Sequence, residues 1–439
     1  MPRIMSIPAR IGVALAATFI LLAPALWNGF PLLQYDTGGY LARWFEGYLV
    51  PSRSGAYGLF VAMGWPLNFW PVVALQAAAT VWIVSLVLRA LGINGRPWPL
   101  LVIIAVLTLT TTLPWIAGIL LTDIFAGLAV LALHLLTLHA DRLSGRERVA
   151  LVVFVAFAAA THSATFLLLL GLSLAALVAS LISRSLVPRV AIVRTGLSLT
   201  LGAVMLVSAN FVVAKQIAWT PGGYAIVFAR MLQDGIVARY LEKHCPDPAL
   251  KLCPYRNELP PDADTFLWGE GVFDKLGRFA GLDDEMRTIV LGSVIEYPSA
   301  QIRTALAAAL GQIVAVRTGE GVRSDLWHTY TIMEHFTPSV LPAMRAARQQ
   351  HDELNFETIN AVHLPVALAA MALLPVLIWL GWKRNDFSDL GLLAATVTLA
   401  ILANAFICGP LSNPHDRYGA RLVWLAPFAV LLVPWSRRK

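Results

Sequence analysis

Ten apolar stretches spaced along a chain of 439 residues constrain this protein more than any other feature. They run from Ile11 to Trp27, Trp70 to Leu91, Pro97 to Leu113, Ile119 to Ala140, Val149 to Ala160, Thr165 to Ile182, Thr195 to Lys215, Ala361 to Trp382, Leu390 to Cys408 and Leu422 to Trp435. A helix needs about 20 mostly apolar residues to span a bilayer, and shorter runs serve where they are buried or the bilayer thins. With 58% hydrophobic and 13% charged residues and a mean hydropathy of +0.68, the chain is far more apolar than a soluble protein of its length. The expected class is an all-α polytopic membrane protein with about ten transmembrane helices.

The charges set an orientation. With the N-terminus in the cytoplasm, the inside turns collect Arg3, Arg10, Arg89, Arg96, Arg142, Arg146, Arg148, Arg184, Arg189, Arg194, Lys383, Arg384, Arg437, Arg438 and Lys439. The short outside loops hold Arg43, Arg53, Arg417 and Arg421, so the positive-inside rule puts both termini in the cytoplasm. The implied location is a bacterial inner (plasma) membrane. The net charge of +7 sits in turns where anionic headgroups are the natural partners, and nothing in the chain signals nucleic acid. The opening "MPRIMSIPARIGVALAATFILLAPALW" has a basic leader and an apolar core without a small-x-small cleavage site, and reads as an uncleaved first helix.

The polar fraction changes once, between Gln216 and Asn360, which carries most of the acids. Three parts follow: an N-terminal transmembrane core over 1–215 whose first outside loop is 28–69, an extracytoplasmic helical domain over 216–360, and C-terminal transmembrane helices over 361–439. Within the outside domain, "YAIVFARMLQDGIVARYLEKHC" has helical spacing. A further helical pattern opens at Asp283 and Asp284 and stops before Pro298; the next, up to Val316, is apolar enough to dip into a membrane but is kept outside. Cys245 and Cys253, in "HCPDPALKLCPY", are expected to form a disulfide; free thiols are the alternative, and a zinc site lacks two ligands. Cys408 reads as a packed thiol. Gln34 to Tyr48 reads as an amphipathic helix with Leu41, Trp44, Phe45 and Tyr48 on one face.

Four places carry candidate chemistry. Asp36, in "QYDTGGYLARW", is either a turn or cap residue or a carboxylate poised as a general base, with glycines that let a ligand approach the backbone. Asp123, in "LLTDIFAGL", is an acid at an apolar helix end, costly unless paired or hydrated; its other reading is an N-cap. His162 lies at the apex between two apolar runs, as hydrogen-bonded packing or as a ligand group. Arg417 and Arg421, in "SNPHDRYGARLVW", share one face of a helix starting near Asp416, where forked donors suit a phosphate; lipid headgroups or Asp416 are the other partners. Arg53 adds a further outside cation, and Tyr40 joins Arg53, His162, Arg417 and Arg421 as the candidate substrate-binding set. A Walker loop, a dinucleotide fingerprint, an HExxH helix and a GxSxG elbow are all missing from the sequence.

Together, two aspartates and several arginines on one membrane face suit a lipid-linked phosphate donor, with arginines on the departing phosphate and Asp36 deprotonating an incoming hydroxyl. The placement resembles the GT-C superfamily of integral membrane glycosyltransferases that use polyprenyl-phosphate sugars. In that family the first outside loop carries an essential aspartate and surface-lying helices, the place occupied here by "QYDTGGYLARWFEGY". A second acid in the next outside loop matches Asp123 by position. The resemblance implies Asp36 as base, Asp123 as assisting acid or metal contact, and Arg417 or Arg421 as phosphate holder. It covers the helical core from Ile11 to Lys215. Asp36 is not followed by a second acid, which leaves a divalent cation (Mg or Mn) open, and the outside domain lies between membrane helices where many relatives place it at the C-terminus. The rival readings are a transporter or lipid flippase, and a non-catalytic assembly subunit.

Overall fold

The structure, a computed structural model, describes residues 7–93 and 98–436; Arg3, Arg96, Arg437, Arg438, Lys439 and the basic leader lie outside the described residues. The described chain is all-helical. The first part comprises α1 (Ile7–Leu21), α2 (Ala23–Asn28), α3 (Tyr35–Glu46), α4 (Gly55–Ala62), α5 (Trp70–Ala90), α6 (Trp98–Thr110), α7 (Leu113–Gly118), α8 (Asp123–Leu138), α9 (Gly145–Thr161), α10 (Ser163–Ile182) and α11 (Arg189–Ala214). Next come α12 (Gly223–Gln233), α13 (Ile236–His244), α14 (Ala263–Trp268), α15 (Val272–Lys275), α16 (Arg278–Glu296), α17 (Pro298–Val314), α18 (Trp327–Phe336) and α19 (Leu341–Arg345). The chain closes with α20 (Phe356–Lys383), α21 (Ser388–Leu411), α22 (Asp416–Val423), α23 (Leu425–Leu431) and α24 (Val433–Ser436).

Each of the ten apolar stretches is helical over most of its length, yet among the described residues six helices are long and apolar enough to cross a membrane. These are α5, α10, α11, α20, α21 with the turn before it, and the run Asp416–Trp435 formed by α22 to α24. The others are shorter: α8 has 16 residues, about 24 Å at 1.5 Å per residue against a hydrocarbon layer of about 30 Å. Helix α8 is buried along nearly its whole length, so protein surrounds it on all sides. Its first residue is Asp123, and its far end leads to Arg142, which donates to Asp389 at 2.7 Å. Close by in sequence, Arg89 pairs with Glu147 at 2.6 Å. Basic turns therefore gather at the end of the bundle opposite Asp123.

The polar stretch 216–360 feeds two different cores. Helices α12 to α16 close around Phe228, Tyr240, Phe266, Phe273, Met286 and Ile289, a core separate from the main one. The segment with helical spacing forms two helices, α12 and α13, parted at Gly235, whose φ of +74° ends the first helix. Cys245 and Cys253 are joined by a disulfide at the edge of this body. Helix α16 starts at Arg278, before Asp283 and Asp284, because Gly277 at φ +84° supplies the turn into it. Leu326, Ile332, Met333, Val340 and Met344 instead join the main core, so α18 and α19 cap the helical bundle. Helix α17 packs along α21 and leaves Ile302, Leu306, Leu310 and Val314 exposed in a stripe at helical spacing, beside the exposed Leu399, Leu402 and Phe406 of α21.

Helix α3 forms where the amphipathic pattern places it, and its apolar face divides between the bundle and the surface. Tyr40, Leu41, Ala42 and Arg43 are buried, whereas Phe45 and Tyr48 are exposed. Arg43 is tolerated inside because its donors are used: Nε to the Gly39 carbonyl at 2.7 Å, Nη1 to the Tyr48 carbonyl at 2.8 Å and Nη2 to Glu46 at 2.8 Å. The helix lies against α18 at Gly38, where an added Cβ would stand 2.7 Å from the Thr329 Cα. Backbone cannot rotate away, so Gly38→Ala must push α3 off α18. A loss of about 1–3 kcal/mol in thermal or denaturant unfolding is expected. Gly171→Ala, whose Cβ meets nothing within 4 Å, should leave stability near that of the native protein.

Candidate functional site

Three sets of hydrogen bonds bring the two candidate aspartates together. Leu32 and Ile119 form an isolated parallel bridge, with Leu32 N donating to the Gly118 carbonyl at 2.9 Å and Leu120 N to the Leu32 carbonyl at 3.0 Å. Thr37 Oγ1 donates to the Leu120 carbonyl at 3.1 Å, tying the first turn of α3 to the α7–α8 connection. From α5, the buried Gln76 amide donates to the carbonyls of Ala117 and Ile119 at 3.0 and 2.9 Å. Buried backbone groups need such partners, so these bonds fix both loops against each other. Asp36, in the first turn of α3, and Asp123, the first residue of α8, consequently emerge side by side.

The capping question at Asp36 is settled by its neighbours. Gln34 is the N-cap: its side chain accepts from Asp36 N at 2.8 Å, while Gln34 N donates to Thr37 Oγ1 at 3.0 Å. The helix is capped without the Asp36 carboxylate, which is left to bind elsewhere. One of its oxygens takes Arg53 Nη2, and the other takes Arg417 Nη1 at 2.7 Å. Burial alone would raise the pKa of this carboxyl; the two guanidiniums outweigh it and hold the pKa at about 2.

Arg417 is shared. Its Nε lies 3.3 Å from Asp123 Oδ2, an ion pair without a hydrogen bond, so one guanidinium bridges both aspartates by charge. Asp123 is 2% exposed, and its Oδ1 has no hydrogen-bond partner. Arg53 is stacked over the Tyr40 ring at 5.6 Å, and Arg417 over the Tyr418 ring at 5.3 Å. Tyr40 therefore braces a cation, with its hydroxyl beside Thr122.

The remaining candidates take supporting positions. Arg421 does share a helix with Arg417, α22 beginning at Asp416, but it turns inward: 1% exposed, it grips Asn404 Oδ1 through Nε at 3.0 Å and Nη2 at 2.5 Å, and reaches Cys408 Sγ at 3.2 Å. Its charge still acts on Asp123 and His162. His162 caps α10, its Nδ1 accepting from Ala164 N at 3.1 Å, close enough to Asp36, Arg53 and Arg417 to sense their charges. The disulfide of Cys245 and Cys253 belongs to the second core.

The site also contains residues to which the sequence reading gave no role. Glu320 accepts from Arg417 N at 2.7 Å and contacts His415 Nδ1 at 2.7 Å; His415 Nε2 lies 3.7 Å from Asp264 on α14. Arg317 N donates to Asp416 Oδ1 at 2.8 Å. Glu320 sits between Gly319 and Gly321; at Gly321, φ is +76° and a Cβ would collide with the Gln34 amide at 2.5 Å, so glycine is required for this loop to lie on the α3 cap. "HDR" at 415–417 was within the quoted motif, but Glu320 is about a hundred residues away from it, and no local pattern joins the two.

A narrow cleft of about 30 Å³ adjoins the cluster. Asp123, Arg417, Glu320 and Gln34 line it together with an apolar wall of Trp115, Ile116, Ile119 and Leu121. The donor set does not suit a divalent cation. A guanidinium stands between the two carboxylates, both Asp36 oxygens are taken, and among the described residues no three His, Cys, Asp or Glu converge on one point.

The Glu320–His415 contact sets a pH dependence. Burial lowers the His415 pKa, but its bond to Glu320 outweighs this and raises it above 6.5; burial raises the Glu320 pKa, but His415 and the Arg417 amide bring it below 4.5. The histidine contribution is full below pH 6.5 and fades as pH rises through its raised value, while the glutamate contribution fades as pH falls below 4.5. The thermal stability lost in His415→Gln should be largest near about pH 5.5 and shrink by about pH 9. An equal loss at both would rule out the ionised pair.

Comparison with known proteins finds no matching family model, no matching curated protein and no matching solved structure.

Proposed function

We propose that this chain is an integral membrane glycosyltransferase of the GT-C type, moving a sugar from a polyprenyl-phosphate donor to an acceptor hydroxyl on the extracytoplasmic face. The observation that carries the reading is Arg417 joining Asp36 and Asp123, with Arg53 on the far side of Asp36. In the proposed reaction the acceptor oxygen bonds to the anomeric carbon, the bond from that carbon to the phosphate oxygen breaks, and polyprenyl phosphate departs with the electron pair. The hydroxyl proton passes to Asp36. Arg53 and Arg417 hold the departing phosphate, matching its charge with forked donors, and the apolar wall of Trp115, Ile116, Ile119 and Leu121 offers a path for the lipid chain.

The topology that goes with this reading is GT-C-like, with the shorter helices α1, α6, α8 and α9 completing about ten crossings alongside the six of spanning length. Arg89, Arg142, Arg146 and Arg148 then face the cytoplasm of a bacterial inner membrane, and Asp36 and Asp123 the periplasm. Against a carrier stands the position of the acids, at helix starts on one side, where alternating access calls for groups near the midplane.

Purified protein in liposomes containing polyprenyl-phosphate sugars should consume donor and release polyprenyl phosphate when supplied with envelope glycans or glycolipids. Asp36→Asn and Asp123→Asn should each lower that turnover by at least about a hundredfold, the scale of a lost general base. Movement of intact donor across the bilayer without bond formation would decide for a flippase, and full turnover in both variants would exclude catalysis at this cluster.

A further inference from the structure

In the structure, Arg53 and Arg417 close on one carboxylate from two sides, a geometry that suits two oxygens of a phosphate as well as two oxygens of an aspartate. We infer that this arginine pair is an anion site which Asp36 fills in the resting protein, and that the phosphate of a lipid-linked donor displaces the Asp36 carboxylate when it binds. The identity of the ligand rests on the proposed glycosyl transfer; the exchange itself rests on the contacts around the pair.

Both arginines are held by groups other than Asp36. Arg53 lies over the Tyr40 ring. Arg417 lies over the Tyr418 ring, has Nε beside Asp123, and has its backbone N fixed by Glu320. Only Nη1 of Arg417 needs to change partner, while Nε stays on Asp123. Asp36 is equally independent of the pairing, since Gln34 and Thr37 cap its helix. All three side chains keep slight access to the surface, 12% for Arg53 and 14% each for Asp36 and Arg417, so an incoming anion can reach them.

Charge balance gives the exchange a chemical purpose. Two arginines and two aspartates sum to zero, and a bound phosphate makes the cluster negative. A carboxylate stripped of both guanidiniums and left beside a phosphate favours a proton, so phosphate arrival turns Asp36 from a saturated ion-pair partner into a base for the acceptor hydroxyl. A base masked until the donor is seated also protects the site from idle proton transfer.

The test uses the full-length protein in nanodiscs and three probes: geranylgeranyl methyl phosphate, a singly charged phosphodiester; dimethyl phosphate, the same anion without a lipid; and geranylgeraniol, the lipid without the anion. Asp36→Asn should bind the prenyl phosphodiester at least about tenfold more tightly than the native protein, and Arg417→Gln at least about tenfold more weakly. Geranylgeraniol should be indifferent to both changes. Dimethyl phosphate bound as tightly as the prenyl diester, with the same gain in Asp36→Asn, would uphold the exchange but assign the site to a soluble phosphate, overturning the lipid-linked donor. Equal or weaker phosphodiester binding in Asp36→Asn overturns the exchange. Asp36→Ser repeats the measurement with a second neutral side chain. Should neither variant fold, a structure of the native protein with the prenyl diester decides: Arg53 and Arg417 on the phosphate uphold the proposal, and the 2.7 Å contact between Arg417 and Asp36 persisting beside bound probe contradicts it.

Discussion

A single guanidinium organises the charged end of this protein. Arg417 holds Asp36 through one nitrogen and Asp123 through another, and its own amide is held by Glu320. Carboxylates taken from water into a helical bundle are costly unless opposite charges meet them, and a pair broken on one side leaves an uncompensated charge of several kcal/mol. The positions of α3, α8, α22 and the 317–322 loop are therefore linked, because each supplies a group that another must neutralise or bond.

Neutral hydrogen bonds make this meeting possible. The Leu32–Ile119 bridge and the Thr37 and Gln76 contacts fix the first loop against the α7–α8 connection before any charge is counted. On the other side, Gln349 clamps the same loop, its amide bonding both the N–H and the carbonyl of Leu33. The cluster is thus mounted on backbone rather than on flexible loops, with α18 laid over it at Gly38. A rigid mount suits the proposed transfer, which holds a phosphate and a hydroxyl in fixed relation.

Much of this was legible in the sequence, and what was not has physical causes. The apolar runs, the disulfide, the α22 start at Asp416 and the presence of Asp36, Asp123 and Arg417 on one side follow from periodicity and charge placement, which are local. The burial of Arg43 did not follow, because it is satisfied by carbonyls that only the folded turn presents. Arg421 looked equivalent to Arg417, yet Asn404 on the preceding helix α21, 17 residues earlier, draws it into the interior. Glu320 went unseen because its partners lie about a hundred residues on. Hydropathy marks apolar helices whether lipid or protein surrounds them, so length alone separates the six helices of spanning length from shorter ones such as α8, which is enclosed by protein.

If Arg417 makes the two aspartates one electrostatic unit, their removal must be coupled through it. The direct measure is a double-mutant cycle on unfolding stability in detergent with Asp36→Asn and Asp123→Asn, run in the native chain and again in Arg417→Gln. A coupling of about 0.5–3 kcal/mol between the aspartates is predicted in the native background, vanishing in Arg417→Gln. Additive effects with Arg417 present, or a coupling unchanged without it, would contradict the shared-guanidinium account.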